Sequence, residues 1–223
     1  MKEGRVKEIW SIDADAPLQS VLDSPECPLL FRQALTGAIS WQARNETPVR
    51  RALTSPRVAP RWMAALLALG ATVTVEGAEV PLETLLKSEA EGTVSALYVG
   101  VEGVRWGEAH VARTPADEAI VAAVAVVEMS GPSTGSGQGD AVRQARLALI
   151  GVWPETARLA EASAQLIGGP LDEISIRAVA EAVEQEIAPR GDFLGSEEYR
   201  RAMAGVLTRR ALEACLCQEA GDE

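Results

Sequence analysis

The segment Ile120–Val127 reads IVAAVAVV and contains no polar residue. It is short for a helix, and it lacks the polar alternation of a strand with one wet face. It therefore predicts a strand buried on both faces, which needs an apolar layer above and another below. Ser130–Asp140 (SGPSTGSGQGD) joins this run to the apolar segment Val142–Val152. That connector cannot bury apolar area and has the composition of a mobile loop, so the two runs predict a long-looped hairpin.

The rest of the chain divides around this hairpin. Gly4–Trp10 reads as a short strand. Ala16–Leu22 reads as a helix capped by Asp13 or Asp15, and Leu29–Trp41 as a second helix with Leu30, Ala34, Ala38 and Trp41 on one face. Trp62–Ala71 is a continuous apolar helix stopped by Gly70. Thr72–Glu76 and Glu79–Leu82 predict a hairpin around Gly77, and Thr93–Val99 a further strand that continues through Val101–Trp106. The last third predicts three helices. One runs from Pro154 to Ile167 and stops at Gly168-Gly169-Pro170. The next is capped by Asp172, with Ile174, Ala178, Val179, Ala182, Val183 and Ile187 as its stripe. The third is capped by Ser196, with Tyr199, Met203, Val206, Leu207 and Ala211 facing inward. The fold class that follows is α+β.

Composition narrows the function. The net charge of −11 argues against nucleic acid and anionic membranes as partners. The start, MKEGRVKEIW, carries no apolar signal core, and no apolar run is long enough for a membrane span. Cys27, Cys215 and Cys217 form no disulfide framework and fit a reducing cytoplasm. The chain has a single histidine, His110, too few for a zinc site or a recognisable triad, and it is best read as an exposed or satisfied residue. Trp62 and Trp153 read as core or interface anchors, and Arg209-Arg210 as a solvated face or as partners of Glu213 and Glu197. No paired carboxylates suggest acid–base catalysis, so neither a catalytic nor a metal site is expected.

One stretch stands out against the acidic background. Between Arg44 and Arg61 lie Arg50, Arg51 and Arg57, interleaved with Pro48, Pro56 and Pro60. A basic loop leading into a helix can present N–H groups and a helix N-terminus to a phosphate. The plainer reading is a proline-rich surface loop feeding a core helix.

The segment RLALIGVWPETARLAEASAQLIGGPLDE, followed by GDFLGSEEYRRAMAGVLTRRALEAC, resembles the C-terminal domain of the FAD-binding medium subunit of molybdenum hydroxylases, the xanthine dehydrogenase and carbon monoxide dehydrogenase type. The features in order are Gly151-Val152 with Pro154, Gly168 to Pro170, Asp192 with Gly195-Ser196, Tyr199-Arg200, and Arg209 to Leu212. VARTPADEAIVAAVAVVE, residues 111–128, is similar to the strand entering that domain, and Leu29–Leu82 resembles the second FAD-binding subdomain more weakly. The resemblance implies a remnant of that PCMH-type subdomain over residues 1–110, then a small antiparallel sheet with three helices over 111–223.

In that family FAD is held partly by a loop R-N-x-G-T-x-G-G-N. Here Arg44 and Asn45 fit, whereas Thr47 replaces the first glycine, Pro48 the threonine, and Arg50-Arg51 the glycine pair. Arg61 stands where the family usually has Asp, and Glu108 falls near an aromatic position close to the flavin. Paired glycines let main chain approach a diphosphate; arginine side chains fill that space, and proline removes a donor. The resemblance thus implies a shortened medium subunit with a vestigial site at Arg44, Asn45, Thr47, Pro48, Arg50, Arg51 and Arg61. No FAD is expected in this chain. Its partners would be an iron–sulfur small subunit and a molybdopterin large subunit, and its role structural. The alternatives are a subunit that still binds FAD through Arg50, Arg51 and Arg57, or a stand-alone small-molecule-binding protein.

Overall fold

The computed structural model describes residues 9–87, 93–130 and 141–218. Its first part contains β1 (Ile9–Asp13), α1 (Leu18–Asp23), α2 (Leu29–Leu35), α3 (Trp41–Glu46), α4 (Val49–Thr54), α5 (Pro60–Leu69), β2 (Thr72–Val75), β3 (Ala78–Pro81) and α6 (Leu82–Lys87). There follow β4 (Val94–Gly100), β5 (Arg105–Val111), β6 (Val121–Met129), β7 (Val142–Ile150), β8 (Ala157–Leu159), α7 (Glu173–Glu186) and α8 (Glu197–Cys217). The strands form two four-stranded antiparallel sheets, in the orders β1-β4-β2-β3 and β5-β6-β7-β8.

β6 is the wall between two cores. Successive side chains of a strand point to opposite faces. Val121, Ala123, Ala125 and Val127 accordingly pack with α7 and α8, while Ala122, Val124 and Val126 pack with α5. The expected doubly buried strand is present. Its hairpin with β7 is also present, with Ser130 N–H donating to Ala141 O at 2.8 Å; the connector 131–140 lies outside the described residues. α5 supplies the layer on one face, and every residue from Pro60 to Ala68 is buried. On the other face α8 crosses β5 so closely that a Cβ on Gly107 would fall inside contact distance of Ala211 O. The β2–β3 hairpin turns through Glu76 and Gly77, both at positive φ, the conformation that matches strand twist in a two-residue turn.

Several expectations are corrected. Of the strand expected over Gly4–Trp10, residues 1–8 lie outside the described residues, and β1 runs from Ile9 to Asp13. Neither Asp13 nor Asp15 caps α1; Pro17 precedes it, and Asp13 Oδ1 instead accepts from Asp15 N–H at 2.8 Å. The helix expected from Leu29 to Trp41 breaks at Gly37, whose φ is +93°, and Ser40 caps a new helix, α3. Trp41 is thereby turned outward, 67% exposed. The basic stretch is helical and not extended, containing α3, α4 and a 3-10 turn over Pro56–Val58, with Pro60 at the first position of α5. After Glu79–Leu82 the chain turns into the unexpected helix α6.

Val101–Trp106 does not extend β4 within its sheet. The chain turns at Gly103, and β5 pairs with β6 in the second sheet. Pro154–Ile167 forms no α-helix. β8 pairs with β7 there, and a 3-10 turn follows over Glu161–Leu166, whose first N–H groups, Glu161 and Ala162, both donate to the Glu186 carboxylate at 2.9 Å. Two α-helices, not three, therefore cover the second sheet. The buried stripe of α7 is Ile176, Val179, Ala180 and Val183, because the Asp172–Ser175 capping box sets the first turn with Ile174 80% exposed. On α8 Leu207 and Ala211 face inward as expected, joined by Arg200, Ala204, Thr208, Leu212 and Cys215; Tyr199 is exposed.

Gly107→Ala should destabilise the protein by about 1–3 kcal/mol, since an added methyl forces α8 off the sheet. Urea unfolding at equilibrium measures it; an unchanged midpoint would contradict the packing described.

Candidate functional site

The basic stretch is held against the segment Ala14–Leu18. Leu18 N–H donates to Thr47 O at 2.9 Å, Val49 N–H to Ala16 O at 2.9 Å, and Arg50 N–H to Ala14 O at 2.8 Å; Pro17 and Pro48 face each other in a β-bridge. Arg51 N–H donates to Pro48 O at 3.0 Å and Ala52 N–H to the same oxygen at 3.4 Å. All four N–H groups from Val49 to Ala52 are thus donated within the chain.

The side chains are committed in the same way. Arg44 donates through Nε to Gln19 Oε1 at 2.8 Å, and through Nη1 to the carbonyls of Leu35, at 3.3 Å, and Ile39. It ties together the chain end of α2 and the start of α3. Asn45 donates to Trp41 O within α3 at 2.8 Å. Arg50 pairs with Asp15 at the surface. Arg50, Arg51 and Thr54 line, with Thr93 and Val94, an open depression of about 410 Å³.

A diphosphate cradle needs free, convergent N–H donors on closely approaching main chain. The N–H groups of Val49–Ala52 are not free, and α4, with 6 residues, has little dipole to offer. The residues present do not fit an FAD diphosphate.

Arg61 lies apart from the other arginines and points inward. It donates to Glu108 through Nε, 2.5 Å from Oε1, and through Nη2, 2.8 Å from Oε2. The side chains are 11% and 3% exposed. His110, two residues along the same face of β5, places Nδ1 3.4 Å from Glu108 Oε1 at the solvent rim. Burial pushes the Glu108 carboxyl upward, but hydrogen bonding from His110 and Arg61, with their positive charge, outweighs it and holds the pKa below the usual carboxylate range. The pair joins the head of α5 to the second sheet. Both residues are conspicuous in the sequence, but 47 residues separate them and no local pattern marks their partnership.

A second ion pair organises the far side of β6. Arg200, 6% exposed, donates to Ile120 O at 2.8 Å and Gly151 O at 2.9 Å, and bidentately to Asp192 at 2.8 Å. Asp192 Oδ1 also accepts from Leu194 and Gly195 N–H. The Arg200 contact first, then the backbone donors, hold its carboxyl below the usual range. Gly151, Asp192, Gly195 and Arg200, quoted above as separate features, thus belong to one contact set. Arg209 lies 3.7 Å from Glu213 on the helix surface. Trp62 is fully buried beside Phe31, and Trp153 is half-buried under the Arg158 guanidinium. Among the described residues no group of His, Cys, Asp and Glu could hold a metal ion, and no helix is long and apolar enough to cross a membrane.

Residues 109–215 match the CO dehydrogenase flavoprotein C-terminal domain. The carbon monoxide dehydrogenase medium chain of Hydrogenophaga pseudoflava is 28% identical over 113 residues, 51% of this chain and 37% of that protein. The uncharacterized protein YgfM of Escherichia coli K12 is 26% identical over 214 residues, 95% of this chain and 74% of that one. Among solved structures, the carbon monoxide dehydrogenase of Hydrogenophaga pseudoflava that lacks the Mo-pyranopterin moiety superposes with a TM-score of 0.77 at 25% identity, over 97% of this chain and 77% of the other. The superposition extends over the mixed α/β architecture with its two antiparallel sheets.

Two predictions follow from the geometry. Because the pKa of Glu108 is lower folded than unfolded, its contribution is complete above the unfolded carboxylate value of about 4.3 and is lost as pH falls through the folded value. Glu108→Gln should cost about 3–5 kcal/mol at neutral pH and flatten that acid limb, as read by urea unfolding across pH. The thiols should separate by burial. Cys217 is exposed, whereas Cys27 is buried and the buried Cys215 thiol is pushed up to about 12 by desolvation. Peptide mapping after brief native iodoacetamide treatment should find Cys217 alkylated and the other two intact.

Proposed function

We propose that this chain is a medium-subunit-like scaffold of a molybdenum hydroxylase complex, of the xanthine dehydrogenase or carbon monoxide dehydrogenase type, and that it holds no FAD of its own. It acts in the cytoplasm as a structural subunit beside an iron–sulfur small subunit and a molybdopterin large subunit. The match of residues 109–215 and the shared architecture support the class of assembly. The observation that carries the cofactor reading is the commitment of every N–H from Val49 to Ala52 to carbonyls of the same chain. A dinucleotide entering here would have to displace those bonds, the Arg50–Asp15 pair and the Arg44 contacts together.

The competing reading keeps FAD and uses arginine side chains as phosphate ligands. The open depression with Arg50, Arg51 and Thr54 favours it, since guanidinium groups bind phosphate without main-chain cradling. Burial is the difficulty: an open surface depression does not exclude water from an isoalloxazine.

Co-expression with adjacent iron–sulfur and molybdopterin subunits, followed by purification through a tag on this chain, tests the proposal. The expected product is a stable complex containing iron and molybdenum, with released flavin far below one per chain. Stoichiometric FAD would overturn the cofactor reading, and elution of the chain alone would overturn the assembly reading.

A further inference from the structure

We infer that Arg61 and His110 form a carboxylate-binding cage whose resident ligand is the chain's own Glu108, so that removing this side chain leaves a site for a small external carboxylate. The geometry is that of a recognition site. A guanidinium fork meets both oxygens of a planar carboxylate at 2.5 and 2.8 Å, and an imidazole nitrogen lies 3.4 Å from one of them. A bidentate guanidinium contact selects a planar anion by shape as well as by charge.

Burial makes the cage demanding. The Arg61 side chain is 11% exposed, and its helix is buried from Pro60 to Ala68. With Glu108 removed, the guanidinium would stand in the interior without its counterion, a state that strongly favours uptake of any anion able to enter. Access exists on one side, because the His110 side chain is 36% exposed.

The strand register fixes where the vacancy opens. Glu108 sits opposite Val124 on the α5 face of the second sheet, while Ala109 turns to the other core. Truncating Glu108 to Ala keeps Cβ and removes one methylene and the carboxylate, a fragment of the shape of acetate. Formate leaves part of that volume empty and propionate exceeds it. The inference rests on these side chains alone and holds whether or not flavin is bound elsewhere.

The test compares thermal unfolding midpoints of wild type, Glu108→Ala, and the double variant Arg61→Met/Glu108→Ala. Each is measured at neutral pH and equal ionic strength in sodium chloride, formate, acetate, propionate and phosphate. Glu108→Ala should unfold several degrees below wild type in chloride. Acetate should raise its midpoint saturably, formate less and propionate least, while wild type and the double variant show no anion-specific gain. Should Glu108→Ala fail to fold in chloride, its refolding yield in acetate against chloride gives the same reading. A response to acetate no larger than to chloride, an equal response to phosphate, or an equal gain in the double variant would overturn the inference.

Discussion

The structure depends on covering β6 from both sides. A strand without a polar residue between Val121 and Val127 cannot leave either face in water, and the rest of the chain provides two different covers. On one side α5 lies against it, bringing along the first sheet. On the other, α7 and α8 close over it. At roughly 25 cal/mol per Å² of apolar surface, such burial is the dominant favourable contribution to a fold of this size. The glycines that matter most follow from it: Gly107 lets α8 approach the sheet, and Gly151 makes room for the Ile120 carbonyl beside Arg200.

Charges then fix the arrangement that apolar packing permits. Apolar contacts are non-directional and specify the depth of burial of α5 more than its register along the sheet. The Arg61–Glu108 pair is directional and ties the head of α5 to one residue of β5. Arg200 does the same on the opposite face, linking α8 to the start of β6, the end of β7 and the Asp192 turn. Buried pairs of this kind contribute little net stability when intact and cost several kcal/mol when halved. Their value here is registration of the two layers about one strand.

Most of the layer plan was legible from the amino acids alone. The period and apolarity of Ile120–Val127, the stop at Gly70, the hairpin around Gly77 and the caps Asp172 and Ser196 each express a local preference that packing respects. The failures have two causes. Leu29–Trp41 and Pro154–Ile167 both have helical composition, but Gly37 breaks the first, and pairing of Ala157–Leu159 with β7 captures part of the second. A short segment's intrinsic preference is weak beside an available sheet edge. The helices of the basic stretch are hidden for a different reason. Its prolines read as loop formers, yet Pro48 precedes α4 and Pro60 opens α5, positions where a missing N–H costs nothing.

The same stretch bears on what the chain can hold. Its arginines suggest an anion site when counted, but three of the five are already engaged within the chain: Arg44 on carbonyls, Arg50 on Asp15, Arg61 on Glu108. The N–H groups of Val49 and Arg50 close a clasp with Ala16 and Ala14. The proposal that the chain holds no FAD of its own rests on these commitments. Titrating the isolated chain into a fixed amount of FAD and following flavin fluorescence polarisation tests this most directly. The account predicts no saturable change; a saturable rise at one FAD per chain would contradict it.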